Sequence, residues 1–188
     1  MLEIISDEQL IKNYLKGDDQ SLEILIKRYL RPVYGFVCHL VRDQAAAEDV
    51  TQDVFAKMWQ NLNQFKRDKN FKPWLYMIAR NTALDWLKKK KSLPLSAFED
   101  EAGNNLLAET LADTAPLADE ILARQDAGEL LESALSRLPL NYQTVLLLYY
   151  TQQLNFREIA ELLKEPIDTV KSRQRRALFA LKKLLEEK

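Results

Sequence analysis

Apolar residues in this chain recur three and four positions apart almost throughout, and no stretch alternates in the way of a half-buried strand. The spacing predicts two short amphipathic helices over Asp7–Lys16 and Ser21–Leu30, broken at Gly17-Asp18-Asp19. After Arg31-Pro32 it predicts a further helix carrying Val33, Phe36, Val37, Leu40 and Val41. A long helix is expected from about Gln44 to Leu62. Residues 63–72 are polar and basic and read as a loop, and Pro73 suits the first turn of a helix running into lysines 88–91. Pro94, Gly103, Asn104, Asn105 and Pro116 mark 92–116 as a linker with one short helical stretch. Helices are then expected over 117–137, 142–151, 156–163 and 168–186. The expected fold is all-α, with two small helical domains (1–91 and 117–188) joined by a flexible acidic linker (92–116).

The last segment, LNFREIAELLKEPIDTVKSRQRRALFALKKLLEEK, reads as a helix-turn-helix. Asn155 and Glu158 form a capping box ahead of Ile159, Ala160, Leu162 and Leu163. Pro166 cannot continue that helix. A second begins near Asp168, with Val170, Ala177, Leu178, Leu181 and Leu184/Leu185 at core spacing. Lys171, Ser172, Arg173, Arg175 and Arg176 occupy its other faces. Such a helix presents its N-terminal turns to the major groove, where arginine and lysine suit guanine edges and phosphates. A basic, solvated helix in an ordinary bundle would share part of this pattern.

Hydrophobic residues make up 47% of the 188, enough for packed cores. The net charge of −1 hides a segregation. From Lys66 to Lys91 there are nine bases and two acids, and from Ser92 to Asp126 eight acids and one arginine. Two basic zones separated by an acidic one suggest two nucleic-acid contacts and a connector with another task. The single cysteine, Cys38, excludes an intramolecular disulfide framework. Neither a signal peptide nor a bilayer-length apolar run is evident, so a soluble, cytoplasmic protein without membrane insertion is expected.

Catalytic chemistry finds little support. His39 is the sole histidine, Cys38 beside it points elsewhere on a helix, and no metal-ligand spacing or phosphate-binding glycine loop is present. No enzyme, metal or cofactor is expected. On the helix AAAEDVTQDVFAKMWQNL, Val50, Val54, Phe55, Met58, Trp59 and Leu62 fill a core-facing arc. Asp49, Gln52, Asp53, Ala56 and Gln60 fill the opposite arc, which reads either as solvated surface or as a dock for a basic partner protein. In FKPWLYMIARNTALDWLKKKK, Phe71, Trp74, Tyr76 and Trp86 are interleaved with Lys72, Arg80 and Lys88–Lys91. Aromatic stacking beside cationic groups is how unpaired bases are held, although core packing is the default role for such aromatics. Asn81, Asp85 and Lys88 share one face at i, i+4, i+7.

These three motifs, in this order, resemble bacterial sigma factors of the extracytoplasmic-function (group IV) family. AEDVTQDVFAKMW is similar to the family's polymerase-binding helix, FKPWLYMIARNTALDWLKKKK to its −10 reading helix, and LPLNYQTVLLLYYTQQLNFREIAELLKEPIDTVKSRQRRAL to its −35 domain. The resemblance implies that Asp49, Gln52, Asp53 and Trp59 contact the β′ clamp helices of core RNA polymerase or support that contact, within a complex that includes the β subunit. It implies that the loop from Asn63 to Lys72 captures a flipped base of the melted non-template strand. It further implies that Trp74, Arg80, Asn81, Asp85 and Lys88 serve the −10 element, and Thr169, Lys171, Ser172, Arg173, Arg175 and Arg176 the duplex −35 element. The linker would thread the RNA exit path, and an anti-sigma factor is an expected regulator. Asp168 stands where the family usually has glycine, Gln174 where it has an apolar residue, and Lys72-Pro73 where a small polar residue precedes the tryptophan. A stand-alone helix-turn-helix regulator would leave the Trp74/Lys88 segment and the acidic Asp49/Asp53 face without a task. A helical adaptor would leave the basic zones unexplained.

Overall fold

The structure, a computed structural model, describes residues 5–65, 69–91 and 120–186, with the side chains of 91, 120–127 and 129 left out of the description. The linker expected over 92–116 and its short helix lie outside these residues. Among the described residues every regular element is helical. They are α1 (Asp7–Tyr14), α2 (Asp19–Val41), α3 (Gln44–Asn61), α4 (Phe71–Lys91), α5 (Glu120–Arg137), α6 (Leu140–Leu146), α7 (Phe156–Leu163) and α8 (Ile167–Glu186). A 3-10 turn, Leu62–Gln64, extends α3, and a π-helical turn, Leu147–Thr151, extends α6.

Local chemistry explains most of the helix ends. Ser6 caps α1 by accepting from the Gln9 amide, and Asp43 caps α3 by accepting from the Ala46 amide at 3.1 Å. The expected capping box of α7 is present in both directions: Asn155 Oδ1 accepts from the Glu158 amide, and Glu158 Oε2 accepts from the Asn155 amide at 2.9 Å. Arg42 and Lys164 end α2 and α7 in the left-handed conformation, the stop that glycine more often provides.

One boundary differs from expectation. Ser21–Leu30 and the segment after Pro32 form a single helix, α2, with Pro32 in its interior. Proline removes one hydrogen bond and crowds the preceding turn, at a cost of about 3 kcal/mol. Leu25, Tyr29, Val33, Phe36, Val37 and Leu40 nevertheless lie on one buried face that runs straight through it. Burying a side chain of that size contributes roughly 1.5–3 kcal/mol, so this face outweighs the proline, which sits exposed on the other side.

α2, α3 and α4 pack against one another, with α1 lying against α2. Leu10, Leu25, Phe36, Met58, Phe71, Leu75 and Tyr76 are almost fully enclosed there. The rings of Phe36 and Tyr76 meet edge-on at 5.2 Å, as do those of Tyr29 and Phe71 at 5.5 Å. Burial and the hydrogen bond to Asp7 both push the Tyr29 hydroxyl far above its ordinary pKa, so it remains a donor. In the C-terminal half α8 packs on α5, α6 and α7. The two halves also touch. α7 lies against α4, and the cluster of Val145, Leu148, Leu154, Ile159 and Val170 is continuous with the N-terminal core.

Met58 has no exposed surface in the middle of the α2–α4 packing. Met58→Ala is expected to destabilise the protein by about 2–5 kcal/mol, the range for a large side chain truncated in a rigid core. Urea unfolding read by circular dichroism measures this, with the denaturant slope unchanged.

Candidate nucleic-acid interface

α3 sorts its side chains as its period requires, with one exception. Val50, Val54, Met58 and Leu62 are buried, whereas Asp49, Gln52, Asp53, Ala56 and Gln60 are exposed. The exception is Trp59, expected in the core but 55% exposed. Its indole N–H donates to the Tyr14 hydroxyl at 2.7 Å, which leans the ring on α1 beside the acidic strip. Tyr14 gives no signal of this role in the sequence, because nothing local links it to a residue 45 positions away.

α4 also divides by face. Phe71, Leu75, Tyr76, Ala79, Ala83 and Leu87 point inward, and Asn81, Asp85 and Lys88 point out. These three polar residues line one shallow depression of about 340 Å3 with Arg80 and Leu84, so the i, i+4, i+7 face exists as a surface feature. The aromatics take the packing role that is their default. Phe71 and Tyr76 are core residues, and Trp74 is half-buried against Phe65 and Phe71, with centroids 5.0 and 5.7 Å away. Trp86 is half-buried, and Lys90 Nζ lies 4.6 Å from its ring centroid. That ammonium also pairs with the Asp43 carboxylate at 2.7 Å. None of these four rings is presented bare to solvent, because apolar area of this size gains more from packing than from exposure. The expected loop is also shorter than 63–72: Asn63 lies in the 3-10 turn, exposed, and Lys72 is half-buried in the first turn of α4.

Arg80 departs furthest from expectation on α4. The residue is half-buried: its Nη1 donates to Asn81 at 3.2 Å, while the enclosed Nε has no hydrogen-bond partner among the described residues. Burial lowers its pKa from the ordinary value and the nearby Arg173 adds to this, whereas the Glu165 carboxylate works in the opposite direction.

On α8, Lys171 and Arg175 are exposed, and Thr169, Ser172 and Arg176 are half-buried at the edge of the same surface. Ser172 Oγ donates to the Thr169 carbonyl at 2.9 Å. Arg173, expected among the DNA-facing residues, is only 7% exposed and pairs with Glu165 at 2.8 Å. Gln174 is buried too, donating to the Tyr150 hydroxyl at 2.9 Å, which gives a polar residue a partner on the inward face. Val170 and Ala177 are enclosed as the spacing requires, but Leu178 is 37% exposed and its neighbour Phe179 55%. Asp168 lies in the first turn, 3.7 Å from Lys171, and a carboxylate there complements the helix dipole.

His39 lies 3.7 Å from Glu132 beside a half-buried Cys38, in a cleft of about 250 Å3 between α2 and α5–α6. No group of three or more His, Cys, Asp or Glu suited to a metal occurs among the described residues, and no described helix is long and apolar enough to cross a membrane.

Residues 25–93 match the family described as Sigma-70 region 2, and residues 128–181 match Sigma-70, region 4. The RNA polymerase sigma-H factor of Pseudomonas aeruginosa is 31% identical, covering 99% of this chain and 97% of its own. The ECF RNA polymerase sigma-E factor of Escherichia coli (strain K12) is also 31% identical, over 96% of this chain and 95% of its own. The chain belongs to the extracytoplasmic-function family of sigma factors. In these terms the region 2 match of this sigma factor runs from within α2 through α3 and α4, while α6 to α8 make up most of the region 4 match. Solved structures share the fold. CnrH, in complex with the cytosolic domain of CnrY, superposes with a TM-score of 0.69 at 22% identity, over 96% of this chain and 97% of its own. The sigma factor RpoE of Bartonella quintana, in complex with the anti-sigma factor NepR, gives 0.66 at 23%, over 89% of this chain and 98% of its own.

The Asp43 carboxyl is held below its usual pKa, first by Lys90 and then by the Ala46 amide. Such a group contributes stability that is present above the ordinary carboxylate range and is lost as pH falls through the depressed value. Asp43→Ala is therefore expected to lower the melting temperature at neutral pH, with the gap from the parent closing in strong acid. Thermal melts across pH read this directly.

Proposed function

We propose that this sigma factor carries core RNA polymerase to its promoters by dividing recognition between two helical modules, 1–91 and 117–188, connected by 92–116. It directs the polymerase to specific promoters; the assignment of tasks to residues is our reading. Asp49, Gln52, Asp53 and the tethered Trp59 form the face for the β′ clamp helices. The turn at Asn63, together with Lys72 and Trp74 at the start of α4, serves the flipped non-template base. Asn81, Asp85 and Lys88, with Arg80 at their edge, serve the −10 element. Thr169, Lys171, Ser172, Arg175 and Arg176 meet the −35 duplex, with Arg173 beneath them. The observation that supports this division best is the exposed Asn81/Asp85/Lys88 edge of α4. It is a polar surface on a helix whose opposite face is committed to the core.

The chemistry asked of the protein is binding alone, with no catalytic residue and no cofactor, in the cytoplasm where polymerase and promoter meet. An anti-sigma partner belongs to the same reading, supported by the complex of its structural neighbour with NepR. Each module alone holds only a few contacts, and joining them on one polymerase makes the pair bivalent, so that modest affinities multiply.

Two experiments test these assignments. Asp49→Lys with Asp53→Lys should abolish co-purification with core polymerase and promoter-dependent runoff transcription while leaving the circular dichroism spectrum unchanged. Normal polymerase binding by that variant would remove α3 as the docking face. Lys171→Ala with Arg175→Ala should weaken promoter binding by the holoenzyme and reduce the slope of log affinity against log salt by about two, one for each phosphate no longer neutralised.

A further inference from the structure

Two adjacent tyrosines sit in the π-helical turn Leu147–Thr151, and they are used differently. The Gln152 amide closes that turn by donating to the Leu147 carbonyl, five residues back, at 3.0 Å. Tyr149 is half-buried and stacks on Phe156, with ring centroids 4.6 Å apart and planes 18° apart. Tyr150 meets Tyr149 edge-on at 4.9 Å and is 53% exposed. Its hydroxyl reaches α8, where it accepts from Gln174 Nε2 at 2.9 Å, its only hydrogen bond among the described residues. A phenolic oxygen that accepts still has its own proton to give. At about 100° per residue, Gln174 lies about 60° around α8 from Lys171 and about 100° from Arg175, both exposed. Arg173, about 100° away in the opposite direction, is covered by its pair with Glu165. The open flank of Gln174 is therefore the one it shares with the two cations assigned to DNA.

We propose that Tyr150 is a further contact of the −35 surface, its hydroxyl donating to a backbone phosphate of the duplex beside those met by Lys171 and Arg175. The proposal rests on the assignment of α8 to the −35 element. Tyrosine hydroxyls serve as phosphate partners, and such a contact fixes register on the duplex without reading a base. Gln174 is the positioning residue. By donating to the phenolic oxygen it holds the ring in one orientation and leaves the remaining proton for an acceptor outside the protein. A tyrosine has few torsions to order, and the edge of Tyr149 restricts it further, so little freedom is lost when the phosphate arrives. The role also gives a reason for an amide on the inward face of α8, where a hydrocarbon could pack but could not steer a hydroxyl.

The test uses holoenzyme reconstituted from core polymerase and the full chain, on a promoter fragment that the parent transcribes in runoff assays. Tyr150→Phe keeps the ring and removes the donor, and should weaken promoter binding roughly ten-fold, the scale of a hydrogen bond to a charged acceptor. Because the hydroxyl is neutral, the slope of log affinity against log salt should stay at the parent value, unlike the fall expected for Lys171→Ala with Arg175→Ala. Methylphosphonate, placed at one −35 phosphate at a time, identifies the partner: at one position it should weaken the parent yet cost Tyr150→Phe nothing more. Gln174→Leu should likewise cost affinity in the parent and add nothing to Tyr150→Phe. Parent-level binding by Tyr150→Phe overturns the proposal, and so does a loss that adds to every methylphosphonate, the mark of a purely structural tyrosine. Should Gln174→Leu fail to fold, the methylphosphonate scan of Tyr150→Phe decides alone. If Lys171→Ala with Arg175→Ala weakens binding while Tyr150→Phe does not, only this contact falls; if neither weakens it, the −35 assignment of α8 falls as well.

Discussion

Packing on three sides of α4 governs the rest of the structure. Leu75, Ala79 and Ala83 lie wholly inside, where two alanines let neighbouring helices approach closely. Tyr76 turns toward Gln152 in the other half, and Asn81, Asp85 and Lys88 take what is left, the edge open to solvent. A helix is stiff, so these faces cannot be adjusted one at a time. Fixing the inward face against α2 and α3 fixes the depression lined by the polar edge, and it fixes where the C-terminal half can lean. The polar edge is therefore placed by the core, which is how a binding surface made of single side chains keeps its geometry without a ligand.

Much of this is legible in the order of residues, and the failures have physical causes. Helix type and most boundaries follow from the apolar period and from end signals such as Asn155 with Glu158, because those effects act within one turn. Pro32 misleads because local propensity predicts a break, whereas the buried face from Leu25 to Leu40 is a tertiary quantity. Trp59 reads as core because its spacing fits the apolar arc, and its exposure depends on Tyr14, which only the fold brings near. Tyr76 and Phe71 read either as core residues or as base-stacking rings, because composition cannot say which face of α4 meets solvent. Arg173 and Arg80 read as cations open to DNA for a related reason: a period of 3.6 places them on a face but cannot show that another helix covers it. The contact between the halves leaves no trace in sequence pattern at all, since Gln152 lies in a polar stretch that looks solvated and is 7% exposed.

That hidden contact changes how the energetics of initiation should be viewed. Two modules on an unconstrained tether would gain from bivalency whenever their targets are correctly spaced, with or without polymerase. Two modules that share a buried apolar cluster first have to expose it, and burial of that kind is worth roughly 25 cal/mol per Å2. Every 1.4 kcal/mol that this contact contributes is a factor of about ten in the ratio of chains with the halves together to chains with them apart.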